Sequence, residues 1–424
     1  MTASRAKTSL GPTSLAEKAR LTGAFDDWHN LFYRTIWVTG ALDKGAVRDA
    51  WRRLCQRHDA LRRTYASPDE ARTHSDALSE VQFYTAETDE RAIELMRDFL
   101  GTPFSLDGPA FTRIAIVQRS EQRHLFGIAL DHIITDLISW RHIREDFKEL
   151  YDRALAGDAS DLPEAGSYQR FASEQRRCFS SRWGEERREF WRSYSGEFGT
   201  YPSPFLPDAK HTGDYQLKVL SHALPPDAKA RVHALSRQAR VTPFAVVSTG
   251  VLAGMREVAG MPAPGISVTH HGRGLPGTAQ TAGLFAETVP LHLGHRATSR
   301  LAMVQEVFLR TLDIFDHAIP LTVAGSSWNE VFTGTGQEAP GVQFELHEQP
   351  MSSFFTAPFS GTEADYIDVG LPNDKIWTET VVIFWNLYDT SPHLVAEYNA
   401  SYFPEAAVEG LLDAAERFVF SAGT

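Results

Sequence analysis

Apolar residues recur along the chain at two spacings, and these predict its elements. Ile36, Trp37 and Val38 form a β-branched and aromatic run that closes on Gly40, which predicts a strand. Over 43–57, Ala46, Val47, Ala50, Trp51 and Leu54 recur every three or four positions, which predicts a helix. The runs 111–117 and 124–130 read as two strands joined by the polar turn 118–123. A long helix follows over 136–155, with Trp140, Ile143, Phe147, Leu150 and Tyr151 on one face. Thr135 is its expected cap, and Asp136 suits the positive end of its dipole.

The second half repeats this alternation. Helices are predicted over 228–240, 244–255 and 404–420, and strands over 265–269, 289–293, 341–346, 381–387 and 395–402. The stretch 157–210 is polar and helix-prone, with Arg and Glu alternating over 182–192 as on a solvated helix face. It reads as a bridge between two mixed α/β lobes, 1–178 and 179–424.

Charge and cysteine usage narrow the function. Against 42 Lys and Arg stand 54 Asp and Glu, a net charge of −12, which argues against tracking a nucleic acid backbone. Cys55 and Cys178 are the two cysteines and form no CxxC, so neither a disulfide framework nor a thiolate metal site is expected. A reducing, cytoplasmic compartment is expected. The start carries no apolar signal core, and no run approaches the ~20 apolar residues of a membrane span.

Several motifs are weaker than they look. Gly272, Gly274 and Gly277 match GxGxxG, but Pro276 interrupts and no long helix is predicted next, so a dinucleotide site is not expected. Neither GxxxxGK[ST] nor GxSxG occurs. Asp131, His132 and Asp136 could be read as metal ligands. Adjacent residues at a strand end point to opposite faces, so no metal is expected.

The segment 130–140, LDHIITDLISW, carries more weight. An apolar strand ends, a single His follows, and a helix opens at Asp136. The residues alone leave two readings: an imidazole at a cleft, or a packed His beside an Asp that caps a helix.

This segment resembles the HHxxxDG motif of nonribosomal peptide synthetase condensation domains, in the chloramphenicol acetyltransferase-like superfamily. Further pieces follow in the family's order. RHDALRRTY at 57–65 resembles RHxxLRTxF. Pro103 to Leu106, Gly108, Pro109 and Arg113 resemble PFDL…GP…R. The start of the 244–255 helix at Val241, Thr242, Pro243 and Phe244 resembles the family's TPF. Gly272 and Arg273, then GLFAETVPL at 283–291, resemble GR…IGFFVNTLPLR. Glu397 to Phe403 resembles the last strand and the turn into the final helix.

The resemblance implies an α/β fold of two chloramphenicol acetyltransferase-like lobes, a V-shaped pseudo-dimer with a central tunnel. Carrier proteins would dock at the tunnel mouths and present thioesters on phosphopantetheine, with no cofactor bound by the chain itself and neither nucleic acid nor membrane as partner. The acceptor, an amine or hydroxyl, would attack the thioester. By motif, His132 takes the place of the principal active-site residue. Asp136 takes that of a structural Asp that pairs with an arginine, Arg62 first and Arg273 second. The chain leaves no room for adenylation or carrier domains, which implies a free-standing condensation enzyme. An unperturbed His titrates near ~6.5, so it can accept a proton from an amine at working pH.

The sequence departs from the pattern at Asp131, where the family has its first His, and at Leu137, where it has Gly. A carboxylate at 131 is expected to raise the pKa of His132 or to favour a cationic group. Leu137 is expected to narrow the tunnel. Glu287 stands where the family carries Asn. Ser139 matches a frequent family Ser, with helix packing or a local hydrogen bond as its expected role. His270, His271 and His347 are candidates for tunnel lining. Two other functions fit the motif: a non-catalytic module that binds a carrier and recruits enzymes, and a coenzyme A-dependent acyltransferase. No DFGWG stretch, which the plant-type acyltransferases carry, occurs.

Overall fold

A computed structural model describes residues 8–22, 31–198, 215–319, 341–349, 359–371 and 380–421. The chain packs as two units. The first gathers Met1–Ser180, His271–Ala286 and Ser352–Asp374, and the second Ser181–His270, Glu287–Met351 and Lys375–Thr424. Contiguous lobes of 1–178 and 179–424 miss two returns of the chain into the first unit.

The first unit is built on a five-stranded sheet. Its order is Glu363–Tyr366, Leu31–Thr39, Arg123–Asp131, Thr112–Ser120 and Gln82–Thr85, antiparallel except for the last pair. Period-two patterning buries both faces. Ile114, Ile116, Phe126, Ile128 and Leu130 pack with Val47, Trp51 and Leu54 of the helix Lys44–Arg57 and with Ile143, Phe147 and Leu150 of the helix Leu137–Leu155. On the other face, Ala115, Val117, Leu125 and Ala129 meet Ala92, Met96 and Leu100 of the helix Asp89–Leu100. Gly127 permits this close approach, since a Cβ there would lie 2.2 Å from Met96 Sδ.

A small sheet, Thr8–Pro12, Glu70–His74 and Arg63–Ser67, completes the unit with the helices Leu15–Leu21 and Tyr168–Phe179. Ser14 and Glu17 form a capping box on the first helix. Glu17 is fully buried because Arg63 and the Tyr65 hydroxyl satisfy its carboxylate.

The second unit holds a six-stranded mixed sheet. Its order is Glu287–His292, Gly265–His270, Gly341–His347, Thr380–Asn386, His393–Asn399 and Leu217–Ala223. The helices Ala228–Ala239, Pro243–Ala259, Arg300–Asp316 and Glu405–Phe420 belong with it. The 182–192 charge run lies on the helix Arg182–Phe198, laced by Arg–Glu pairs. The expected helix-prone stretch beyond it, 199–210, lies outside the described residues. No helix among the described residues is long and apolar enough to cross a membrane.

Candidate functional site

The strand Arg123–Asp131 is hydrogen-bonded on both edges, which fixes where it ends. The chain then makes a single 3-10 turn, His132–Ile134. Asp131 caps it: Oδ1 accepts the Ile133 N–H at 2.8 Å. Arg20, from the helix Leu15–Leu21, places Nη2 3.7 Å from Asp131 Oδ2. Burial raises the pKa of the Asp131 carboxyl, against the opposing pull of Arg20 and the Ile133 N–H. With both oxygens facing such groups and 3 % of the residue exposed, Asp131 offers no open carboxylate to a cationic ligand.

His132 is half-buried, and its ring meets Phe32 edge-on, 4.8 Å between centroids at 82°. Nδ1 is buried and has no hydrogen-bond partner among the described residues, so the accessible part of the residue lies elsewhere. Burial lowers the pKa of His132, and the charges of Asp136 and Asp131 oppose that without reversing it. The expected rise caused by Asp131 is therefore corrected: desolvation outweighs the neighbouring carboxylate. The imidazole is neutral at pH 7 and able to accept a proton.

Asp136, rather than Thr135, caps the helix Leu137–Leu155, its Oδ1 accepting the Ser139 N–H at 2.7 Å. The same oxygen accepts from Arg273 Nη2 at 3.0 Å, and Oδ2 accepts from the N–H groups of Phe285 and Ala286 at 3.0 and 3.2 Å. Ser139 reaches the same segment, its Oγ donating to the Gly283 carbonyl at 2.7 Å and accepting from the Gly283 N–H and Arg273 Nη2. The local bond expected of Ser139 is a long-range one. The Arg273 guanidinium also lies over the Phe285 ring at 3.9 Å.

Residues 271–286 are thus pinned across the N-terminus of the motif helix. Their glycines serve this path rather than a dinucleotide. Gly272 has φ +64°, and a Cβ there would lie 1.7 Å from the Phe285 carbonyl oxygen. Tyr168 adds a further anchor, its hydroxyl donating to the Leu284 carbonyl at 2.6 Å and meeting Ser14 Oγ at 2.9 Å.

Of the two arginines expected for Asp136, the partner is Arg273. Arg62 is corrected: it donates to the carbonyls of Cys55, Gln56 and His74. Two of these end the helix Lys44–Arg57, where a cation meets the negative end of the dipole. Leu137 opens the motif helix and is half-buried. The remaining histidines are spread over both units. His271, in the first, accepts the Arg273 N–H on Nδ1. In the second, His270 packs on Phe315, and His347 faces Asn386 and Glu345. Glu287, also in the second, has its carboxyl pushed up to about 8 by burial. Among the described residues no group of three or more His, Cys, Asp or Glu is arranged to hold a metal ion.

Sequence reasoning missed Arg20, Phe32 and Tyr168. Tyr168 follows Ser167, a recognisable helix cap. Nothing local to Arg20 or Phe32 announces that they meet the motif turn.

A family model described as Condensation domain matches residues 29–320. Bacitracin synthase 1 of Bacillus licheniformis is 28% identical over 244 residues, 54% of this chain and 4% of that protein. Cyclosporin synthetase simA of Tolypocladium inflatum is 25% identical over 361 residues, 82% of this chain and 2% of that protein. The chain thus spans a few per cent of the length of these curated relatives. Among solved structures, the condensation domain from Monacolin K polyketide synthase MokA has a TM-score of 0.77 at 19% identity, covering 97% of this chain and 96% of that one. The X-domain from teicoplanin biosynthesis has a TM-score of 0.79 at 16% identity, with 97% and 96% covered. The fold is the mixed α/β, chloramphenicol acetyltransferase-like fold of these domains.

Proposed function

Because the chain belongs to the condensation-domain family, we propose that it joins a carrier-bound acyl or peptidyl thioester to an amine or hydroxyl acceptor, with His132 as the base. The observation that carries this reading is the state of His132. It is half-buried on a turn that Asp131 caps, just before the helix that Asp136 caps, and burial lowers its pKa, which favours the neutral, proton-accepting imidazole at pH 7.

The step balances with the chain's own residues. The acceptor nitrogen gives a proton to His132 through Nε2, the nitrogen opposite the buried Nδ1, and attacks the thioester carbonyl carbon. The tetrahedral intermediate collapses, the C–S bond breaks, and the thiolate takes the proton back. The donor arrives on the carrier's phosphopantetheine arm, so the chain itself binds no cofactor. Asp136 acts as scaffold, because Arg273 Nη2 and backbone N–H donors occupy both of its oxygens.

The test is intact-protein mass spectrometry of an acyl-loaded carrier mixed with this protein and a panel of amines. The expected result is loss of the acyl mass from the donor with wild type and its retention with His132→Ala. A second reading, a non-catalytic module that binds carriers and recruits enzymes, draws on Asp131 standing where the family has its first His. It predicts carrier binding with no transfer from any donor. Transfer from acyl-coenzyme A instead would identify a coenzyme A-dependent acyltransferase.

A further inference from the structure

Asp131 and Arg20 form the feature of the site that family membership leaves unexplained. Asp131 is 3 % exposed and lies directly before His132. A buried carboxylate with no countercharge is costly, and here the countercharge comes from more than a hundred residues earlier in the chain. The helix Leu15–Leu21 packs on the turn His132–Ile134 and brings Arg20 to Asp131 Oδ2, while Oδ1 is held by the Ile133 N–H. That helix is itself fixed, since its capping box closes on Glu17 and Glu17 is locked by Arg63 and Tyr65. Both side chains of the pair are shielded from water, at 13 % and 5 % exposure, so solvent screens their interaction weakly.

We propose that Arg20 is a positioning residue: by pairing with Asp131 it neutralises the carboxylate beside His132 and holds the turn that presents the imidazole. This role rests on the reading of His132 as the base, but its test does not need the reaction. In this chain the position of the family's first His carries half of an ion pair. The pair adds almost no net charge next to the base, and the base stays neutral.

Among the described residues, the charges that act on His132 are those of Asp131 at the strand end, which Arg20 reaches from the helix Leu15–Leu21, and of Asp136, which Arg273 neutralises. On the neighbouring strand Leu31–Thr39, Arg34 bonds the Tyr33 carbonyl, and Tyr33 bonds Asp368. Removing one member of the Arg20–Asp131 pair therefore exposes His132 to the other.

The experiment is an NMR titration of the full chain labelled with 13C at histidine Cε1, with the His132 signal assigned from its loss in His132→Ala. Asp131→Asn keeps an oxygen for the Ile133 N–H but strands Arg20, so the His132 midpoint falls, by on the order of 0.5–1 pH unit. Arg20→Gln strands the carboxylate, so the midpoint rises by a similar amount, on the order of 0.5–1 unit. Arg20→Lys keeps the charge and holds the midpoint near wild type. A merely structural Arg20 gives a different pattern: loosening the turn relieves the burial of His132 and raises the midpoint in both Asp131→Asn and Arg20→Gln. Opposite shifts support the proposal. Shifts in the same direction, or none, overturn it. If Asp131→Asn alone does not fold, the Asp131→Asn/Arg20→Gln double variant replaces it. The proposal then requires that neutral pair to fold and to titrate as wild type, and failure of either overturns it. Activity enters none of these readings, so an inactive wild type would count against the proposed reaction and leave the pairing standing.

Discussion

Arg273 Nη2 lies 3.0 Å from Asp136 Oδ1, across 137 positions of sequence, and both side chains are more than nine-tenths buried. The pair ties a returning segment of the chain to the N-terminus of the motif helix. Breaking a buried pair strands a charge, so Asp136→Ala is expected to cost roughly 3–5 kcal/mol, more than His132→Ala costs. Urea unfolding of both variants checks this. The Asp136→Ala/Arg273→Met double variant is expected to be more stable than Asp136→Ala alone, since no charge is left stranded.

Arg62 has a different task. It caps the carbonyl end of the helix Lys44–Arg57. Arg62→Ala is expected to destabilise by about 1–3 kcal/mol, because the carbonyls lose their donors, while the His132 midpoint stays at its wild-type value. Thermal melting and the histidine titration together separate these two outcomes.

The Tyr168 hydroxyl bridges Ser14 and the Leu284 carbonyl from a buried position. Tyr168→Phe removes both bonds and leaves polar groups unsatisfied, at an expected cost of about 1–3 kcal/mol. The loosening is expected to be local. Amide hydrogen exchange of 283–286 should accelerate well before that of the strand Arg123–Asp131.

Glu287 makes stability depend on pH. Its folded pKa, about 8, lies above the ordinary carboxylate value of 4.5, so the folded state holds a proton that the unfolded chain releases. Its contribution is fully present below pH 4.5 and is lost as pH rises toward 8. Glu287→Gln keeps the neutral form at every pH. Its melting temperature should gain on wild type by a few degrees between pH 5 and pH 8. An unchanged difference across that range would remove Glu287 from the account.

Much of the frame could be read from local spacing. Alternating Ile and Phe on the strands ending at Ser120 and Asp131, and the Trp140–Ile143–Phe147 stripe, announce their elements without tertiary information. The helix Arg300–Asp316, missed in the sequence, was open to the same reading, with Ser299 as cap and Val304, Val307, Thr311 and Ile314 buried at helical spacing. The strand Glu363–Tyr366 was not, because its four residues are mostly polar and exposed and gain their pairing only from Leu31–Thr39. For the site, the HxxxD spacing drew attention to His132 and Asp136. Choosing between Arg62 and Arg273 required tertiary structure. Arg62 lies nearer in sequence, but the backbone carbonyls around it already claim its donors. The direction of the His132 shift required it too, because the sequence displays the carboxylates but not the burial that outweighs them.

The pH dependence of single-turnover acyl transfer from a loaded carrier tests the central claim, that His132 works as a neutral base. Its folded pKa lies below the ordinary 6.5, so the deprotonated form is retained at neutral pH and lost only as pH falls through that lowered value. The rate is therefore expected to be flat near pH 7 and to fall along an acid limb with its midpoint below 6.5. His132→Ala should lower the plateau by about 100-fold or more and abolish that limb. A wild-type rate in His132→Ala, or an acid limb unchanged by the substitution, would contradict the account.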